Sequence, residues 1–132
     1  MADTMQFDLV SPERSLLSGQ ATAVRIPGAD GDMTAMPNHA PTVTTLRPGV
    51  LTVEMDGGDQ TFAVTGGFAQ ISSEGTTILA EEALPTSEVT AEFVSERVAK
   101  AEAARDAAEG EAVDAATKLA SDLVALGQDV GV

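Results

Sequence analysis

His39 is the only histidine in the chain, and there is no cysteine. A general base needs a nucleophile or an acidic proton within reach, and a zinc ion needs further His or Cys at ligand spacing. The sequence offers neither a second His nor a nucleophile motif, so His39 reads as a loop or interface residue rather than a base or a ligand. Asp30-Gly31-Asp32 and Asp56-Gly57-Gly58-Asp59 place acids beside glycine, as calcium loops do. Both lack the spaced acids and distal Glu of such a loop, and both read as turns. Gly66-Gly67-Phe68 has the glycines of a phosphate cradle, but a strand follows it, so no helix N-terminus is available to an anion. It reads as a tight turn or bulge beside a packed phenylalanine. These residues point to no catalysis, no metal and no cofactor.

Composition narrows the partners. The 132 residues carry 21 acids against 7 bases, a formal net charge of −14. Nucleic acid and anionic lipid headgroups would repel such a surface, whereas a basic protein would not. With four Phe and neither Tyr nor Trp, the chain has no base-stacking platform, and its core must come from Val, Leu, Ile, Met and Ala. No apolar run reaches membrane-spanning length. The opening residues lack the basic cap and apolar core of a signal sequence. The expectation is a soluble, non-secreted protein.

The elements fall into two halves, divided near Leu84-Pro85-Thr86-Ser87. Before the divide, alternating segments predict strands at 5–10, 21–26, 50–55, 61–64, 68–71 and 76–80. Asp56-Gly57-Gly58-Asp59 and Ser72-Ser73-Glu74-Gly75 predict the turns of two hairpins. Strands at this spacing, with no helix between them, predict an all-β antiparallel sandwich or flattened barrel over residues 1–85. Pro27 to Pro41 reads as a run of tight turns presenting a shaped surface. After the divide, Val89, Phe93, Val94, Val98, Ala101, Ala104 and Ala108 follow helical spacing, with Thr90 as N-cap. The pattern breaks at Gly110 and resumes through Val113, Ala116, Ala120, Leu123, Val124 and Gly127. Two helices around one glycine predict an α-helical hairpin over residues 86–132. Its alanine seam buries little area, so the hairpin is expected to lean on the sandwich or on a partner, and to be able to detach.

Five segments in order then resemble one family, the epsilon subunit of rotary ATP synthases (delta in mitochondria). Ser11-Pro12-Glu13-Arg14 with Ser18-Gly19 resembles its opening. Pro27 to Pro41 is similar to its PG-x-x-GDM-x-x-x-P-x-HAP signature. Leu46-Arg47-Pro48-Gly49, Val64-Thr65-Gly66-Gly67-Phe68 and Leu79-Ala80-Glu81 with Ala83 follow. The resemblance covers about the first 85 residues in motif and the remainder only in architecture. It implies a β-sandwich followed by a two-helix hairpin. It also implies a non-catalytic part of the central stalk, peripheral to the membrane on the cytoplasmic face of a bacterial inner membrane. Such a subunit packs on gamma and the c ring, turns with them, and couples proton flow to ATP synthesis. In many bacteria the hairpin extends toward the alpha/beta catalytic head and inhibits hydrolysis. The resemblance puts a Gly31-Asp32-Met33 turn and the Pro37-Asn38-His39-Ala40-Pro41 loop toward the c ring.

The sequence departs from the family where some members bind ATP, in an I/L-D-x-x-R-A motif opening the first C-terminal helix. Here Thr90 stands for the acid and Phe93 for the arginine, which leaves little to pair with phosphate. The expectation is no useful ATP binding, which disfavours a nucleotide-sensing role. Four cations, Arg97, Lys100, Arg105 and Lys118, face ten acids after Thr86, so strong inhibition through a basic hairpin is not expected either. A free-standing sandwich that binds a small ligand would account for the strands but not for the hairpin or the ordered motifs.

Overall fold

The computed structural model describes residues 3–132. The strands are β1 (Met5–Val10), β2 (Ser15–Gly28), β3 (Gly31–Ala35), β4 (Thr42–Leu46), β5 (Gly49–Met55), β6 (Gly58–Val64), β7 (Gly67–Ile71), β8 (Gly75–Ala80) and β9 (Ala83–Pro85). A 3₁₀ turn, Thr86–Glu88, leads into α1 (Ala91–Ala107) and α2 (Glu111–Val130).

The sheet folds over on itself along β2. The first half of β2 pairs with β1, which continues through β8 and β7 to β4. The second half pairs with β5 and β3, and β5 continues through β6 to β9. A register shift between Ala21 and Ala23 marks the crossing, and the Thr22 hydroxyl donates to the Glu54 carbonyl there (3.1 Å). Such a shift bends the strand and increases its twist, so one strand serves two layers. Gly28 and Leu46 join the layers again at a corner.

Alternation along the strands fills the space between the layers. Phe7, Leu9, Ala69, Ile71 and Ile78 come from one layer, and Val24, Ile26, Leu51, Val53, Phe62 and Val64 from the other. The core is aliphatic with two phenylalanines, as the composition requires.

The helices meet the layer that contains β5, β6 and β9. Ala63 lies opposite Val50 on β5 and Leu84 on β9, and this row packs against Val89, Phe93, Val94, Leu126 and Val130. Farther out, Ala101, Ala120 and Leu123 with Val98 form the seam between the helices. Thr90 caps α1, its hydroxyl accepting from the Phe93 N–H (3.0 Å). Ala104 and Val124, expected in the seam, are exposed. Val124 follows Leu123 by one residue, about 100° around the helix, and so leaves the buried face.

Two other expectations need correction. Gly31-Asp32-Met33 is not a turn: these residues begin β3, paired with Gly28, Pro27 and Ile26, and the turn is confined to Ala29–Asp30. Local turn chemistry is overridden because β3 pairs along β2 and sends Ala35 into the core. Phe68 is not packed in the interior; it is 53% exposed. Ala69 and Ile71 take the inward positions of β7, so strand geometry sends Phe68 to the opposite face.

Candidate functional site

β3 joins only β2, so it is an edge strand among the described residues. The expected interface residues are distributed along this edge and the loop beyond it. Gly31 and Asp32 are exposed at the β2–β3 turn, while Met33 is half-buried against the core. Pro37 and His39 are half-buried, and Asn38, Ala40 and Pro41 are exposed in the loop to β4. The two groups lie at opposite ends of β3, about 15 Å apart at strand rise. They form a strip rather than one cluster.

Each end is braced. At the turn, Arg47 donates to the Gly28 carbonyl (2.6 Å) and pairs with the Asp32 carboxylate. The Arg47 N–H donates to Pro27 O (3.0 Å), and Ala29 N–H donates to Thr45 O (2.8 Å). Arg47 therefore ties the β4–β5 turn to the β2–β3 turn, a role for which the sequence carries no separate signal. In the loop, His39 N–H donates to Met36 O (3.2 Å), and Asn38 adopts φ +66°. His39 Nδ1 donates to the Ala40 carbonyl (2.6 Å), so the ring is committed to its own loop backbone. No group of three His, Cys, Asp or Glu that could hold a metal occurs among the described residues.

A second surface was not anticipated. In register across four strands, Thr45 on β4, Phe68 on β7, Leu79 on β8 and Val10 on β1 form a row on the outer face of their layer. The next row is Val43, Gln70, Thr77 and Asp8. Phe68, Leu79 and Val43 are 53%, 42% and 69% exposed. An open groove of about 530 Å³ lies along the second row and the β7–β8 turn, lined by Asp8, Val43, Gln70, Glu74 and Thr77 among others. The opposite layer has a comparable outer row, Val50, Ala63 and Leu84, but that row is covered by the helices. Alternation in Gly67-Phe68-Ala69-Gln70-Ile71 carried the signal, because inward Ala69 and Ile71 leave Phe68 outward.

The hairpin root holds a third arrangement. Arg97 donates two hydrogen bonds to Glu82, Nε to Oε1 (3.1 Å) and Nη2 to Oε2 (2.6 Å). Its guanidinium lies 3.7 Å from the centre of the Phe93 ring. The hydrogen bonds from Arg97 hold the Glu82 carboxyl below its ordinary range, against the opposing effect of partial burial. Arg97, four residues after Phe93 on α1, is thus engaged within the protein.

Residues 4–86 match the family model for the ATP synthase Delta/Epsilon chain, beta-sandwich domain. The chain is 52% identical over its whole length to the ATP synthase epsilon chain of Rhodobacter capsulatus, all of which is covered. It is 55% identical to that of Paracoccus denitrificans, with 100% of this chain and 94% of that one covered. Its fold is similar to a chain in the cryo-EM structure of the Euglena gracilis mitochondrial ATP synthase (OSCP/F1/c-ring, rotational state 1). That match has a TM-score of 0.68 and 24% identity, and covers 90% of this chain and 76% of the other. With strands, helices and full-length relatives in agreement, this chain belongs to the ATP synthase delta/epsilon family.

Proposed function

We propose that the chain is a non-catalytic subunit of the central stalk that joins gamma to the c ring and so couples proton translocation to ATP synthesis. The carrying observation is the uncovered, in-register row Thr45, Phe68, Leu79 and Val10. An apolar sheet face left open beside a layer whose equivalent row is covered is the signature of a subunit made to be packed against. Gamma is the proposed occupant, through an apolar ridge flanked by cations that match Asp8, Glu74 and Glu81. The braced strip of Gly31, Asp32 and Met33 with Pro37, Asn38, His39, Ala40 and Pro41 is proposed to face the c ring, where rigid backbone transmits torque without yielding. Residues 1–85 and 86–132 are proposed as two units, the first for assembly and the second available for regulation through the catalytic head. The site of action is the cytoplasmic face of a bacterial inner membrane, reached through the complex; no helix among the described residues is long and apolar enough to cross it.

The test is assembly with a gamma-containing catalytic head, read by gel filtration. The intact chain, His39→Ala and a chain ending at Ser87 should all co-elute in about one-to-one ratio with gamma. Failure of the intact chain to co-elute refutes the reading.

A further inference from the structure

We propose that Asp56 is a site of spontaneous covalent modification, where the peptide bond to Gly57 isomerises through the aspartate side chain. The reaction needs a carboxyl group and the amide nitrogen of the next residue to meet. The carboxylate takes one proton from solvent, and the Gly57 nitrogen bonds to Asp56 Cγ. The hydroxyl then leaves as water with the proton of that amide. Water reopens the five-membered imide in one of two ways. Breaking the new bond at Cγ restores aspartate. Breaking the bond at the main-chain carbonyl leaves isoaspartate, whose main chain runs through Cγ. Water is the only co-reactant.

The residue types alone offer more than one place for this chemistry. The Asp-Gly pairs are 30–31 and 56–57, and Asn38-His39 could close the same ring with loss of ammonia. Glycine favours closure because no Cβ shields its nitrogen. The fold then separates the candidates. Asp56 and Gly57 are both exposed, and they are the two central residues of the β5–β6 turn, closed by the pair Met55 and Gly58. The peptide to be attacked therefore lies outside the ladder. Gly57 has φ +100°, with nothing within 4 Å of the place a Cβ would take. Among the described residues, no hydrogen bond holds the Gly57 N–H or the Asp56 carboxylate.

Asp30 is placed differently. Gly31 is already a ladder residue, paired with Gly28. Around it the Gly28 carbonyl accepts from Arg47 (2.6 Å), the Ala29 N–H donates to Thr45 O (2.8 Å), and Asp32 pairs with Arg47. Closing a ring at Asp30 must rotate the chain against these bonds, and giving up even one slows closure about tenfold. At Asn38 the attacking nitrogen is engaged, since the His39 N–H donates to Met36 O (3.2 Å). Isoaspartate at 56 lengthens the link between Met55 and Gly58 by one atom and moves its charge onto the main chain. This turn is at the other end of β5 from Val50, which the helices cover, and it belongs neither to the open row nor to the braced strip. The modification is thus independent of the stalk reading.

Ageing the full chain tests it. The folded protein is held at physiological pH and temperature and sampled over weeks. A protease that cuts before aspartate but not before isoaspartate, together with enzymatic methylation of isoaspartyl carboxylates, locates the product. Isoaspartate should accumulate at 56 about tenfold faster than at 30. In urea the two sites should react at comparable rates, because the bonds around Asp30 are gone. Asp56→Glu should abolish the product at that position, since the longer side chain cannot close a five-membered ring. Absence of product at 56 in the folded chain overturns the proposal, as does product at 30 that equals or exceeds it. A difference that persists unchanged in urea also overturns it, because flanking residues rather than the fold would then be the cause.

Discussion

Replacing Phe68 with alanine should weaken the chain's hold on gamma while leaving the sandwich intact. A phenylalanine presents about 200 Å² when fully exposed, and Phe68 retains 53% of its exposure. The area available to a partner is then about 100 Å², worth up to about 2.5 kcal/mol at about 25 cal/mol per Å². Alanine keeps the β-carbon, so the expected loss is about 2 kcal/mol, or a roughly thirtyfold higher Kd. The free chain should unfold within about 0.5 kcal/mol of the parent, because the ring faces solvent. The assay is titration of the gamma-containing head with the labelled chain, alongside urea unfolding followed by far-ultraviolet circular dichroism, since there is no Trp to report by fluorescence. Leu79→Ala, on the neighbouring strand of the same row, should weaken binding in the same direction. Unchanged affinity in both variants would refute assignment of this face to gamma, and a matching loss of stability would show that Phe68 serves the fold.

Gly67→Ala should destabilise the sandwich by about 3–5 kcal/mol in urea unfolding. Its φ is +126° and an added Cβ would sit 2.0 Å from the Leu79 carbonyl oxygen, so β8 would have to move. Gly57→Ala, at φ +100° with nothing within 4 Å, should cost only about 1–2 kcal/mol; equal losses would contradict the steric account. The Glu82–Arg97 ion pair should also respond to pH. Arg97 keeps the folded pKa of Glu82 below the ordinary 4.5, so its contribution is complete above that value and disappears as pH falls through the lowered one. Spin labels at Gln60→Cys and Ala112→Cys, both exposed positions in a chain without native cysteine, should report one hairpin distance above the ordinary carboxylate range and a broader distribution as pH falls through the lowered value. A distribution that stays constant across the titration of Glu82 would rule this out. ATP should give no binding heat at micromolar concentrations, since Arg97 would have to abandon Glu82 to meet a phosphate; saturable heat would refute this.

Much of the fold was legible from local pattern. Alternation marked β1, the middle of β2 and strands β5 to β8, because inward and outward positions there differ in polarity. Gly57 and Gly75 marked their turns, and the loss of proline with the rise of alanine after Pro85 marked the change to helix. The ordered glycine, proline and histidine motifs carried the family. The β3 strand was not legible, since Gly31-Asp32-Met33-Thr34-Ala35 has weak strand propensity and becomes extended only by pairing with β2.

By itself, then, the sequence determined six of the nine strands among the described residues, both helices, where most turns fall, and to which family the chain belongs, but not β3, β4 or β9. These depend on residues near one another along the chain. Tertiary structure alone decided what meets across distance. Cross-strand register aligned Val10, Leu79, Phe68 and Thr45 into one open row, and pairing of β3 along β2 separated Asp32 from His39 by the length of a strand. Docking of α1 brought Arg97 to Glu82, fifteen residues away in sequence. Register and docking are settled by burial of the whole core, and no local window of sequence contains that information.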